Sequence, residues 1–343
     1  MFAPPFCVGR SRDDIRGLCR FEGELLVSPT QNQVTPSCRR WLVSDDGTGW
    51  NAIVAKQQSF REFEIIFVDD SSSDRSLEIL NKYASTNSRA RVFSIPHGFA
   101  GRCRNHGMKF AHGKYILFLD ADDFYHPLFL QKMIESAEKT NADVVICSYY
   151  LYDSNLGKDI SEFKFDDSVL KQREIETSSL RNKLFQLCNP APWNKLWKMD
   201  KILSGAIEFD SMKSANDFSF VYTALAISKK ISIVDFPLIH YRINQKDNIT
   251  AGRRKTPDNI LRAAVSLKLN LRRLGIFDRY RSTYYRCIMR STRYEIGNIG
   301  LVRKLRFVSV AYEVAEKDIF FRSVLPACIP RFSDAVRKLK GLL

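Results

Sequence analysis

The 343-residue sequence has no run of 18 or more apolar residues, so no segment reads as a membrane-spanning helix. Its first residues lack the charged-then-apolar pattern of a secretory signal, which predicts a protein that is not exported. Cysteine is present but unpatterned. Positions 7, 19, 38, 103, 147, 188, 287 and 328 form no C-x-x-C pair and no cluster with histidine. That excludes the usual zinc and disulfide frameworks and predicts free thiols in a reducing cytosol. There is no internal repeat and no low-complexity segment. Nothing reads as a nucleic-acid reader motif, nor as a stacking platform of aromatics along a basic groove, so no nucleic-acid partner is expected.

Charge is uneven along the chain. The formal net charge is +15, and residues 251–343 contain 21 Lys and Arg against 7 Asp and Glu. The remainder is close to neutral. The basic character therefore belongs to a C-terminal region, where solvated helix faces are the plain explanation and an anionic membrane surface a more specific one. With 45% hydrophobic residues and this length, the chain can form one large α/β domain with an extension, or two domains.

The pattern is least regular over residues 1–50, where Leu25 to Val27 and Trp41 to Val43 are the only strand candidates. From residue 51 it sharpens. A helix end over Ala52 to Gln58 precedes the apolar strand Glu64 to Val68, which runs into Asp69 and Asp70. A helix over Leu77 to Tyr83, a strand over Arg91 to Ile95 and a helix over Arg102 to His112 follow, the last closed by Gly113. Tyr115 to Leu119 has no polar alternation, the mark of a strand buried on both faces, and ends in Asp120, Asp122 and Asp123. Then come a helix over Pro127 to Thr140 and a strand over Asp143 to Tyr149. Strand–helix alternation of this kind predicts a mostly parallel sheet flanked by helices, with both acidic strand ends on its ligand-binding edge. Three acids within four residues repel one another unless a cation or hydrogen-bond donors compensate. A hard divalent ion, Mg²⁺ or Mn²⁺, suits such oxygens; an acidic turn capping the next helix is the plain alternative.

Residues 150–185 read as a polar surface excursion, and Asn189 to Lys198 as an aromatic packing segment beneath the sheet. Ser214 to Ser228 reads as a helix with Ser214 as N-cap and Asp217 as the acid of a capping-box-like arrangement. Ile231 to Val234 and Pro237 to Tyr241 read as further strands. Helices are expected around Leu261 to Leu271, Tyr280 to Tyr294 and Leu301 to Glu316. The expected division is an atypical segment 1–50, a catalytic domain 51–250, and a basic helical extension 251–343 that begins near Ala251-Gly252.

Five segments in order, QSFREFEIIFVDDSSSD (58–74), GRCRNHGMKFAHGKYILFLDADD (101–123), APWNKLWK (191–198), ANDFSF (215–220) and FPLIHYRINQKDNIT (236–250), resemble the family 2 glycosyltransferases. The resemblance spans about residues 52 to 250 and is closest to bacterial enzymes of surface polysaccharide synthesis, such as capsule or exopolysaccharide. It implies the A-type glycosyltransferase (nucleotide-diphospho-sugar transferase) fold and inverting transfer from a nucleotide-diphosphate sugar, a UDP-sugar first, to a glycan or lipid-linked saccharide. By position it implies that Asp69 and Asp70 meet the nucleotide base, that Arg104 and Asn105 lie beside the nucleotide, that Asp120 and Asp122 bind donor and metal, and that Asp217 is the general base. The location implied is cytoplasmic, with the basic helices offering a route to the inner face of the membrane.

The chain departs from the family in two places. The family's Glu-Asp pair stands here as Asn216-Asp217. The family's first strand has no clear match. Leu25 to Val27, followed by Pro29 to Asn32, is the nearest counterpart, but it is short and too far upstream. A missing strand would favour the alternative of a catalytically degenerate binding or scaffold protein. A nucleotidyltransferase is disfavoured because no Gly-rich, Lys/Arg-containing phosphate loop is visible near the N-terminus.

Overall fold

The computed structural model of the chain describes residues 40–44, 58–120, 122–244, 258–296, 307, 308, 311 and 317–328. In chain order the strands are β1 (Arg40–Ser44), β2 (Glu64–Asp69), β3 (Ala90–Ser94), β4 (Tyr115–Leu119), β5 (Phe124–Tyr125), β6 (Val144–Asp153), β7 (Lys158–Phe163), β8 (Glu174–Glu176), β9 (Lys195–Lys198) and β10 (Lys230–Ile243). The main helices are α1 (Ser76–Ser85), α2 (Phe99–Lys109), α3 (Phe129–Thr140), α4 (Asp167–Gln172), α5 (Met199–Gly205), α6 (Phe218–Ile227), α7 (Asn259–Arg273) and α8 (Phe277–Ile296).

The strands form one sheet in the order β3-β2-β1-β4-β9-β6-β10-β5, with β7 on β6 and β8 on β10. The half from β3 to β4 is parallel. β9 runs antiparallel to both β4 and β6, and β6 pairs parallel with β10. The sheet is therefore mixed overall, with its parallel half at the two acidic strand ends.

The strand candidate at Trp41 to Val43 is present, as β1 (Arg40–Ser44). β1 lies between β2 and β4, with Leu42 opposite Ile65 on one side and Leu117 on the other. Its apolar run is only Trp-Leu-Val, and pairing on both edges extends it by one residue at each end. Leu25–Val27 lies outside the described residues, as do the boundary at 251–252 and most of the expected helices at 52–58 and 301–316.

Consecutive apolar residues of β2 and β4 serve two cores because side chains alternate across a strand. Ile66, Val68, Ile116 and Phe118 point into a large core with residues of α2, α6, α7 and α8. Ile65, Phe67, Tyr115, Leu117 and Leu119 point into a second one with residues of α1 and α3. The helices from residue 259 onward share the sheet's core, through Leu261, Ala264, Leu267 and Leu271, and all described residues fall within one compact unit, Ser37–Leu343. No helix among the described residues is long and apolar enough to cross a membrane.

Several segments differ from the sequence reading. The 150–185 stretch contributes β7 and β8 to the sheet and buries Phe165, Ile175, Leu184 and Phe185. The segment 189–198 ends in a sheet strand, β9, disguised in sequence by its buried Lys195. The second helix spans Phe99–Lys109 with Phe110, not Gly113, at its C-cap. The 214–228 helix starts at Phe218, four residues late.

Aromatic packing fixes where that last helix begins. Phe220 of α6 stacks on Phe209 with centroids 3.8 Å apart, and meets Phe118 at 5.5 Å and Trp197 at 5.9 Å edge-on. Phe220→Ala should lower unfolding stability by about 3–5 kcal/mol in urea titration. A loss under about 1 kcal/mol would show that the cluster collapses around the gap and does not anchor α6.

Candidate active site

The turn after β4 gathers three carboxylates. One oxygen each of Asp120, Asp122 and Asp123 lies within 4.8 Å of the others. Asp120 and Asp123 are compensated differently. Asp120 Oδ1 accepts a 2.6 Å bond from Nη2 of Arg104, whose side chain is 5% exposed. The Asp120 main-chain N–H donates to the Tyr125 hydroxyl at 3.2 Å. Asp123 is buried, and its Oδ1 accepts the main-chain N–H of Arg242 at 2.9 Å. Burial, reinforced by the charges of Asp122 and Asp120, pushes the Asp123 carboxyl well above the usual range. Its Oδ2 is buried with no hydrogen-bond partner. Arg242 also donates from Nη1 to the Asp122 carbonyl at 3.3 Å.

Arg104 joins the turn to the start of α6. Its Nη1 donates to Asn216 Oδ1 at 3.1 Å while Nη2 holds Asp120. Asn216 occupies the place of the family's glutamate, so an amide acceptor for Arg104 stands where the family has an acid. Asp217 follows as the residue before α6, half-buried, with no side-chain bond to the helix start. Ser214, expected as the cap, instead accepts from Asn259 Nδ2 at 2.9 Å. The capping arrangement is therefore not formed, and the Asp217 carboxylate is not spent on the helix.

The neighbouring Asn105 turns away from the acids. Its amide clips the main chain of Phe209 in both directions, donating to the carbonyl and accepting the N–H, each at 2.8 Å. Gly101 lets α2 approach the same loop: a Cβ there would stand 2.2 Å from the Asp210 carbonyl oxygen. Asp210 donates its N–H to the Asn216 carbonyl at 3.0 Å, and its Oδ2 accepts from Ser219 at 2.6 Å. Burial pushes the Asp210 carboxyl up, against the pull of its serine hydrogen bonds.

At the end of β2 both acids bind the chain's own groups. Asp69 is buried, accepting the Ser72 N–H at 3.3 Å and the Ser94 hydroxyl at 3.1 Å. Asp70 accepts the N–H groups of Gly98 at 2.7 Å and Phe99 at 3.1 Å, and pairs with His97 Nδ1 at 2.7 Å. Phe99 opens α2 with φ +66°, a conformation unfavourable for a bulky residue, and the carboxylate on its N–H helps to hold it there.

The sequence reading assigned no role to Asp123, Arg242, Asn216 or Lys195. Asp123 was visible in the acidic run, whereas nothing local marks Arg242. Lys195 is fully buried and donates from Nζ to Ala191 O at 2.6 Å, Asn194 Oδ1 at 2.7 Å and Asn189 O at 3.1 Å. Burial pulls its ammonium down, while Cys188, Cys147 and Asp217 oppose that pull. It holds the 189–194 loop, whose Trp193 stacks on Tyr241 at 5.0 Å.

The Asn105 clip can be tested alone. Asn105→Ala strands a donor and an acceptor on Phe209 and should cost about 1–3 kcal/mol. Hydrogen exchange at the Phe209 amide should accelerate selectively. Unchanged protection there would mean that the loop is held by its aromatic contacts.

Residues 52–191 match the model of glycosyl transferase family 2. The putative glycosyltransferase EpsH of Bacillus subtilis (strain 168) is 28% identical over 192 residues, covering 55% of each chain. The uncharacterized glycosyltransferase EpsJ of the same organism is 30% identical over 189 residues, again 55% of each. The chain thus matches about half the length of these curated relatives. The crystal structure of S. aureus TarS 1–349 in complex with UDP-GlcNAc superposes with a TM-score of 0.63 at 18% identity, over 84% of this chain and 87% of that one. At that identity the likeness establishes fold, and it is the A-type fold that the family resemblance implied. The acidic turn at the end of a central strand and the buried arginine joining it to the start of α6 therefore stand on the A-type glycosyltransferase fold, in a chain whose residues 52–191 are similar to glycosyl transferase family 2.

Proposed function

We propose that the chain is a metal-dependent inverting glycosyltransferase that moves a sugar from a nucleotide-diphosphate sugar, a UDP-sugar first, to a glycan or lipid-linked saccharide in surface polysaccharide synthesis. The observation that carries this reading is the acidic turn tied by Arg104 to the start of α6, where Asp217 stands. Three carboxylates with oxygens inside 4.8 Å, one with a buried unpartnered oxygen, fit a hard divalent cation such as Mg²⁺ or Mn²⁺. Asp122 and Asp120 would hold it, with Asp123 behind them. When bound, the cation would offset the negative charge that grows on the departing diphosphate.

The chain's own residues divide the remaining work. Asp69 and Asp70, at the end of β2, would frame the base; Asp70 does so while fixing the Gly98-Phe99 turn. Arg104 offsets the charge of Asp120 beside the donor and joins it to the base-bearing segment. Asn105 acts through Phe209 as a positioning residue. A carboxylate oxygen of Asp217 would take the acceptor hydroxyl's proton as the new O–C1 bond forms. The old C1–O bond breaks with its electron pair leaving on the nucleotide diphosphate, and single displacement inverts the anomeric centre.

In this reading residues 51–250, with β1, form the catalytic domain in the cytoplasm, and the basic region 251–343 flanks it. That region would rest on the anionic inner face of the membrane.

Calorimetric titration with UDP, with and without Mn²⁺, tests the donor site. Micromolar, metal-dependent binding is expected, abolished in Asp122→Ala. Asp217→Asn should keep that binding and lose transfer by about a hundredfold to ten-thousandfold. A folded wild type that binds none of UDP, GDP and dTDP overturns the reading. For the membrane, co-sedimentation with phosphatidylglycerol vesicles should occur at low salt and vanish at high salt. Failure to sediment at low salt refutes the membrane contact.

A further inference from the structure

On the side of the acidic turn away from β2, the sheet presents a half-open face that takes no part in the donor chemistry above. β6 runs past the helices to Asp153, and its register with β10 sets Tyr150 beside His240 and Tyr152 beside Arg242. β5 places Phe124 opposite His240. These five side chains share one face, and all are half-buried. They interlock: Tyr150 and His240 lie 5.2 Å apart with planes tilted by 32°, Phe124 meets Tyr152 edge-on at 5.4 Å, and the Arg242 guanidinium lies 5.1 Å from the Phe124 centroid.

β7 supplies acids to the same face. Asp159 Oδ1 lies 2.8 Å from His240 Nδ1, and Glu162 is paired with Tyr150. The face continues the strand positions Val144 and Ile146, which pack into the core built around α6. It therefore lies on the side of the sheet that α6 covers. It is also anchored to the acidic turn, because Arg242 donates its N–H to Asp123 and its guanidinium to the Asp122 carbonyl.

We propose that Phe124, Tyr150, Tyr152, His240 and Arg242 form a platform that binds a neutral saccharide, the acceptor's sugar portion, beside the acidic turn. This rests on the glycosyltransferase reading and adds to it the acceptor subsite and its chemistry. Aromatic rings half-open to solvent match the C–H faces of sugar rings, and the flanking acids and bases match hydroxyls. Charge decides the class. Asp159 and Glu162 offset Arg242 and His240, so among the described residues the face has no surplus cation for a phosphate-rich polymer. Sheet order places β2 with its Asp69-Asp70 end on one side of β4, and the platform strands β6, β10 and β5 on the other. Donor and acceptor then approach the turn from opposite sides, as a single displacement requires.

Saturation-transfer NMR on the full chain tests the platform, with cellotetraose, chitotetraose and mannotetraose as neutral probes and a glycerol phosphate oligomer as anionic probe. UDP titration with Mn²⁺ runs in parallel on every sample. Saturation of at least one neutral tetrasaccharide is expected, with affinity weakened about tenfold in Tyr150→Ala and in Tyr152→Ala. Tyr150→Phe, which keeps the ring, should retain binding, and UDP affinity should be unchanged in all three. The platform is overturned if no neutral sugar is saturated, if the anionic oligomer alone is, or if binding survives both alanine variants. The sugar signal reads the platform whether or not UDP binds. Loss of UDP binding in the wild type would instead count against the donor reading.

Discussion

The buried guanidinium of Arg104 is the interaction on which the candidate site depends. An arginine that is 5% exposed is stable only if its fork is occupied by hydrogen-bond partners, and here they are Asp120 and Asn216. These lie 16 and 112 residues away in sequence. One side chain on α2 therefore joins the end of the central strand β4 to the segment that begins α6. It also offsets one of three crowded carboxylates. Asp123 relies on different means, burial that favours its protonated form and a main-chain N–H from β10.

α2 is in turn held by everything around it. Asp70 secures its first N–H groups, Gly101 brings it against the Asp210 carbonyl, and Asn105 clips Phe209. The stack of Phe209 on Phe220 then transmits that position into the core over β4. Asp70 and Asn105, expected at or beside the nucleotide, thus set the geometry of the surrounding turn and loop. Substitution at Asn105 would act on the site through the backbone rather than through a lost ligand contact.

Legibility in the sequence followed locality. β2 and β4 were readable because their apolar runs are short, unbroken and rich in strand-favouring residues, as in strands buried on both faces, and the acids after them were plain. β1 was readable only as a short candidate at Trp41 to Val43, because three apolar residues do not reveal which strands lie on either side. β9 was hidden because Lys195 interrupts it, and a lysine is read as exposed unless the carbonyls that hold it are known. Ser214 and Asp217 had the spacing of a helix cap. The cap does not form because Ser214 is engaged by Asn259 of α7, and the helix starts only where Phe218 and Phe220 enter the core.

By itself the sequence determined the alternating strands and helices, the acidic residues at the ends of β2 and β4, and the motif order of the family. All of these are written in short-range patterns, where apolar periodicity and chain direction leave few choices. Only the tertiary structure decided which polar groups remain open to a ligand. Asp70 meets donors 28 residues on, Asn105 a main chain 104 residues on, and Asp123 an N–H 119 residues on. A buried polar side chain takes whatever partner folding brings within about 3 Å. No local pattern records which partner that will be.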